Sequence, residues 1–82
     1  MSIERVQVLE LMRQIGERQG RKLDVREEAV LRDIGFRSLD FSELALRIEQ
    51  TVGHELNFDA GRLRGIQTVA DVLDFFRDAM AG

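Results

Sequence analysis

The stretch from Asp33 to Gly53, DIGFRSLDFSELALRIEQTVG, holds the clearest pattern in this chain. Apolar residues recur in it at the spacing of one buried helix face: Phe41, Leu44, Ala45, Ile48 and Val52. A helix is therefore predicted over 38–52, and Gly53 is a typical residue to end it. Gly35, shortly before this helix, is expected to take a backbone conformation that other residues resist.

Two further helices are predicted on either side of this stretch. The first begins with Ser2 as its N-cap and runs to about Arg18; its apolar positions are Ile3, Val6, Leu9, Met12 and Ile15. The last opens at Thr68, which forms a capping box with Asp71; its buried positions are Val69, Val72, Leu73, Phe76 and Met80.

The segments between these helices carry weaker signals. Residues 20–37 lack a regular period, which favours a long ordered loop with one helical turn at 29–34. A short helical piece is predicted near 59–64, with Asp59 as its N-cap. Three main helices and one minor helix then surround a core of aliphatic residues and phenylalanine.

Composition supports a single all-α domain covering 1–82. The chain has 44% hydrophobic and 33% charged residues, and it contains no Pro, Tyr, Trp or Cys. Helix formers dominate it. The absence of cysteine excludes disulfides and thiolate metal sites and fits a reducing compartment. No apolar run is long enough to span a membrane, and the N-terminus does not resemble a secretory signal. We therefore expect a cytoplasmic monomer.

The charge pattern and side-chain inventory disfavour several function classes. The net charge of -3, with acidic and basic residues mixed, argues against nucleic acid as a partner. His54 is the only histidine, and no acid, base and nucleophile converge around it in the sequence. No metal-binding motif is present. The chain is therefore not expected to be an enzyme.

Ser38 is the residue that this inventory leaves for chemistry. It stands where the second helix begins, and it can be interpreted as an ordinary N-cap or as a serine that carries a phosphodiester. Leu39 and Leu46 lie on a second, mildly acidic face of the same helix. They are either incidental surface leucines or the anchors of a docking surface.

The stretch 33–53 resembles the acyl carrier protein family around its phosphopantetheine attachment site. The family shows an acidic residue, an apolar residue and glycine, then two residues, then the modified serine and a leucine, followed by a helix with a glutamate. The residues that match this arrangement are Asp33, Ile34, Gly35, Ser38, Leu39, Asp40, Glu43, Leu44 and Glu49. The resemblance extends over essentially the whole chain, including the closing TVADVLDFF helix.

This resemblance implies a four-helix bundle that carries cargo. A phosphopantetheinyl transferase, which itself needs magnesium, would move 4'-phosphopantetheine from coenzyme A to the Ser38 hydroxyl. The thiol of that arm would hold an acyl chain as a thioester for the loading, condensing or acyltransferase enzymes of fatty acid, polyketide or related lipid biosynthesis. The residues expected to dock these partners are Arg37, Leu39, Asp40, Glu43, Leu46 and Glu49.

One position departs from the family pattern. The family usually has aspartate directly before the modified serine, whereas this chain has Arg37. Arginine cannot accept a hydrogen bond and reverses the charge. Either Ser38 then caps the helix itself, or Arg37 pairs with the attached phosphate. In both cases the partners are expected to be specialised.

Two alternatives to an acyl carrier stay open. Arg37 supports the alternative that the chain is an unmodified interaction module, which has the carrier fold without its chemistry. An aminoacyl or peptidyl carrier is disfavoured, because DIGFRSL lacks the paired glycines that are typical of peptidyl carriers. The initial methionine and the end just past the last helix suggest a free-standing protein.

Overall fold

The architecture is all-helical, as the sequence predicts. The computed structural model describes residues 4–53, 55–56 and 60–81. Its helices are α1 (Arg5–Arg18), α2 (Ser38–Val52), a 3-10 helix (Ala60–Gly65) and α3 (Val69–Ala81). These described ranges contain no β-strand, only an isolated bridge between Val30 and Thr68. The predicted bounds of the second helix are confirmed, and the short helix lies within a residue of its predicted range.

The start of α1 differs from the prediction. Its N-cap is Glu4, whose backbone N–H donates to Gln7 Oε1 at 2.7 Å in a capping box. Ser2 and Ile3 lie outside the described residues. The predicted inward position of Val6 is wrong, because that side chain is exposed. The buried face instead begins at Val8, two residues on and roughly opposite Val6 around the helix.

The core joins the inner faces of all three α-helices. The predicted stripe of α2 is buried except for Phe41, which is half-buried. Phe41 packs against Phe75 and Phe76 of α3, with ring centroids 5.4 and 5.3 Å away. Phe75 is buried although it was not among the predicted core positions. The capping box of α3 is confirmed, since Thr68 N–H donates to Asp71 Oδ2 at 3.1 Å.

The loop between α1 and α2 is ordered and attached to the start of α3. Its Leu31 N–H donates to the Gln67 carbonyl at 2.9 Å, and the Ala29 carbonyl accepts from Val69 N–H at 3.0 Å. The loop also buries apolar side chains in the core: Leu23, Val25 and Phe36. A single turn at 31–35 lies close to the predicted helical turn. This attachment fixes where the chain enters α2.

Candidate functional site

Ser38 lies at the entry to α2 and opens onto a groove. It is the first residue of the helix, and its side chain is exposed. The groove has a volume of about 850 Å³ and is open to solvent. It is formed by the loop before α2, the first turns of α2 and the segment around the 3-10 helix: Val30, Leu31, Arg32, Gly35, Phe36, Arg37, Ser38, Phe41, Ser42, Leu63, Ile66 and Gln67.

The N-cap of α2 is Arg37 and not Ser38. Arg37 has extended dihedral angles, with φ −102° and ψ 177°, and Ser38 already belongs to the first helical turn. The possibility that Ser38 caps the helix is therefore excluded. A guanidinium has no acceptor, so the Arg37 side chain cannot satisfy the free N–H groups of this helix end. The Ser38 hydroxyl consequently has no capping role to compete with modification.

Asp40 supplies half of a capping box in place of a side-chain cap. Its Oδ2 accepts a hydrogen bond from the Arg37 backbone N–H at 2.9 Å, and its Oδ1 accepts from Gln19 Nε2 at 2.6 Å. Arg21 Nη2 lies 3.4 Å from the same carboxylate. One acidic side chain thus joins the end of α1, the following loop and the first turn of α2.

The predicted docking role of Asp40 is corrected by its burial. Its side chain is only 2% exposed, so a partner protein cannot reach the carboxylate. Sequence reasoning counted Asp40 among the surface acids because it follows Leu39 in the family motif. The helical position three residues after the N-cap was the available signal, since an acceptor there commonly turns back to the N-cap N–H.

The environment of Asp40 favours its charged form. Burial by itself raises the pKa of this carboxyl. The hydrogen bonds from the Arg37 backbone and Gln19, together with the positive charges of Arg21 and Arg37, outweigh that effect. The pKa of Asp40 is therefore held below its ordinary value of 3.8. The ionised carboxylate is a permanent part of the fold at neutral pH.

Arg21 connects this carboxylate to the loop that precedes Ser38. Its Nη1 donates to the Gly35 carbonyl at 2.6 Å, and its Nη2 contacts Gln19 Oε1. Gly35 has φ +75°, as the sequence predicts, and a Cβ there would collide with Arg21 Nη1. The glycine thus provides both the left-handed backbone and the space that Arg21 occupies.

The remaining predicted site residues lie on α2 beyond Ser38. Leu39 and Leu46 are 77% and 55% exposed, which confirms that they lie outside the core. Glu43 lies 3.8 Å from Arg18 of α1 and 3.9 Å from Arg47 of its own helix. Glu49 accepts a hydrogen bond at 2.9 Å from the backbone N–H of Leu56.

Two structural tests bear on other functions. No group of three or more His, Cys, Asp or Glu side chains that could hold a metal ion occurs in the described part of the chain. No helix among the described residues is long and apolar enough to cross a membrane. His54 and Asp59 lie outside the described residues, so the predictions for them stand as expectations.

Comparison with known proteins identifies the architecture. No family model matches the chain, and no curated protein matches it. Among solved structures, it is similar to the crystal structure of an acyl carrier protein from Thermotoga maritima. The two are 25% identical, with a TM-score of 0.70 over 96% of this chain and 93% of that one. The chain therefore has the fold of an acyl carrier protein, with an exposed serine at the start of its second helix.

Proposed function

We propose that this protein is an acyl carrier whose arm is a 4'-phosphopantetheine attached to Ser38. The observation that carries the proposal is the exposure of Ser38 at the start of α2 within a carrier-protein fold. A serine that is free of capping duties and open to solvent is accessible to a modifying enzyme. The carrier would hold its acyl group as a thioester on the arm and would present it to enzymes of fatty acid, polyketide or related lipid biosynthesis.

The surroundings of Ser38 suit such a covalent attachment. A helix N-terminus stabilises negative charge through its free N–H groups and its dipole. A phosphodiester on Ser38 would begin at this end of α2, beside the exposed guanidinium of Arg37. In the transfer, the Ser38 oxygen forms a bond to phosphorus as the pyrophosphate bond of coenzyme A breaks. The hydroxyl proton leaves to a base of the transferase, and adenosine bisphosphate is released.

The groove beside Ser38 offers a surface for the arm or the start of its cargo. Its apolar lining includes Phe36, Phe41 and Leu63. An acyl chain laid along such side chains would lose apolar contact with water. The groove is open at its mouth, so the thioester can leave it when a partner enzyme approaches.

Arg37 favours a second candidate function. In a protein that has lost its arm, a charge reversal beside the serine carries no penalty, and the helical surface can still bind a protein partner. This interaction module shares the fold and the exposed leucines with the carrier. The interaction module differs from the carrier in one prediction, which is that Ser38 is never modified.

Intact-mass spectrometry tests the choice between the two. The purified protein is incubated with coenzyme A, magnesium and a broad-specificity phosphopantetheinyl transferase. The carrier predicts a mass gain of one phosphopantetheine in the wild type and in Ser42→Ala, and none in Ser38→Ala. Ser42 is the matched control, because it is an exposed serine of the same helix that also lines the groove.

The opposite outcome is equally informative. If the wild type and Arg37→Asp both gain no mass with transferases that load a reference carrier, the carrier proposal is rejected in favour of the interaction module. If only Arg37→Asp gains mass, the serine is competent and Arg37 restricts which transferase can use it.

A further inference from the structure

We propose that the surface around Ser38 is recognised by an acidic protein face, with Arg32 and Arg37 as its charged contacts and Leu39 and Leu46 as its apolar anchors. This inference rests on the proposed carrier function, since every partner of a carrier must approach the serine. It reverses the expectation from sequence, in which the carboxylates of the second helix provide the charged contacts.

Those carboxylates are engaged within the protein itself. Asp40 is buried against Arg21 and the start of α2. Glu43 lies between Arg18 and Arg47, at 3.8 and 3.9 Å, so its partly exposed charge is matched by two cations. The Glu49 carboxylate is bound to a loop backbone N–H. The acidic face that the sequence suggests is therefore largely neutralised.

The arginines at the groove are exposed instead. The Arg37 side chain is 70% exposed, and its nearest carboxylate, that of the buried Asp40, is 4.0 Å away. Arg32 is exposed and forms no ion pair with any residue that the structure describes. Both line the same groove as Ser38. The neighbouring Asp33 is also exposed but does not line this groove, so positive charge remains at the serine.

The exposed leucines of α2 do not line the groove and add an apolar component beside it. Leu39 follows Ser38 directly, and Leu46 lies seven residues further on, which places it on the same side of α2 two turns away. Protein–protein interfaces combine an apolar centre with a polar rim and are enriched in arginine. The apolar contacts supply affinity, while the arginines steer the encounter and select the sign of the partner's charge.

Charge complementarity decides which kind of partner fits the surface around Ser38. A basic partner face would bring like charges to Arg32 and to the exposed guanidinium of Arg37 and would be repelled. A polyanion such as nucleic acid would be attracted by these two arginines, but the net charge of -3 would repel it. The exposed leucines would also make no apolar contact with a phosphate backbone. A protein face with carboxylates around an apolar recess satisfies both features.

Two matched amphipathic helical peptides provide the test. They share one leucine face and differ only in the polar face, which is glutamate in one and lysine in the other. Each is titrated into the unmodified ¹⁵N-labelled protein, and amide shifts are followed by NMR. The glutamate peptide is expected to bind about tenfold more tightly or better, with shifts concentrated around Arg37, Leu39 and Leu46. High salt should reduce the difference.

Charge-reversal variants provide the control. Arg32→Glu with Arg37→Glu should weaken binding of the glutamate peptide at least about tenfold and strengthen binding of the lysine peptide. Arg13→Glu reverses one charge on an exposed part of α1 and should change the binding of neither peptide.

Equal or tighter binding of the lysine peptide overturns the proposal. It is also overturned by amide shifts elsewhere on the protein, by no shift with either peptide, or by tighter binding of a single-stranded oligonucleotide at the arginines. Because no modification of Ser38 is involved, failure here is distinct from failure of the carrier proposal.

Discussion

The carboxylate of Asp40 accepts a hydrogen bond from the backbone N–H of Arg37 at 2.9 Å, and this bond closes the first turn of the helix that carries Ser38. The same carboxylate binds Gln19, which is the C-cap residue of α1. The end of one helix and the start of the next are thus fixed to one buried side chain. The position of Ser38 therefore depends on a residue whose side chain is buried.

Removing this carboxylate should destabilise the protein strongly. Asp40→Ala removes the acceptor of the Gln19 amide and of the Arg37 N–H, and it removes one contact of Arg21, which keeps the Gly35 carbonyl and Gln19 Oε1. The expected loss in the free energy of unfolding is about 2 kcal/mol, measured by urea denaturation at neutral pH. Glu17→Ala, an exposed acidic position on α1, is the control and should change stability by less than about 0.5 kcal/mol. A similar small loss for Asp40→Ala would show that the carboxylate stabilises nothing.

The contribution of Asp40 should also disappear in acid. The pKa of Asp40 is lower in the folded protein than its ordinary value of 3.8, so the unfolded chain takes up the proton first as pH falls. The stabilisation is therefore complete above about pH 5 and is lost as pH falls through the folded pKa. The measurement compares urea unfolding of the wild type and Asp40→Asn between about pH 7 and pH 2.5. Asp71, whose pKa is also lowered, is present in both proteins and cancels. A stability difference that stays constant over this range contradicts the prediction.

Two glycines with the same backbone conformation make it possible to separate the contact with Arg21 from the strain of a left-handed backbone. Gly35 and Gly20 both have φ +75°, so alanine at either position incurs the strain of a left-handed residue, about 1 kcal/mol. A Cβ at Gly20 meets no atom within 4 Å, whereas a Cβ at Gly35 would displace the Arg21 guanidinium from the Gly35 carbonyl. Gly35→Ala should therefore cost about 1 kcal/mol more than Gly20→Ala.

A double variant checks that explanation. In an Arg21→Met background the guanidinium is already gone, so the two glycine substitutions should cost nearly the same. If the excess cost of Gly35→Ala persists in that background, it arises from the backbone alone and the contact with Arg21 is irrelevant. The free energies of unfolding come from the same urea titrations.

The sequence predicts the fold well because the apolar residues of α2 recur at a spacing that places them on a single helix face. Leu44, Ala45, Ile48 and Val52 all point inward as predicted, and Gly53 ends the helix in a left-handed conformation. The predictions that failed concern contacts between segments that are distant in sequence. Nothing local shows that Gln19 donates a hydrogen bond to Asp40 across the loop. The outward position of Val6 follows from a helix start that local residues specify only weakly.

The two leucine positions on α2 should respond oppositely to substitution. Leu46→Glu places a charge on a side chain that is 55% exposed, so stability should change by less than about 0.5 kcal/mol. Its effect should appear in the modification assay as a raised KM of the transferase for the carrier. Leu44→Ala opens a cavity at a fully buried site and should cost about 2–5 kcal/mol without a specific effect on KM. If Leu46→Glu unfolds the protein, Leu46 belongs to the core and the docking surface has been misplaced.

Restoring an acceptor at the N-cap of α2 should stabilise the protein. Arg37 has extended backbone angles suited to a cap, but its side chain cannot accept a hydrogen bond. Arg37→Asn supplies a side-chain oxygen for the free N–H of the first turn and is expected to add about 1 kcal/mol to the free energy of unfolding. Asparagine is preferred to aspartate here because it places no second carboxylate beside Asp40. Arg37→Ala removes the arginine without adding an acceptor, so it should show no such gain; equal stability of the two variants would mean that the end of α2 is already satisfied without a cap.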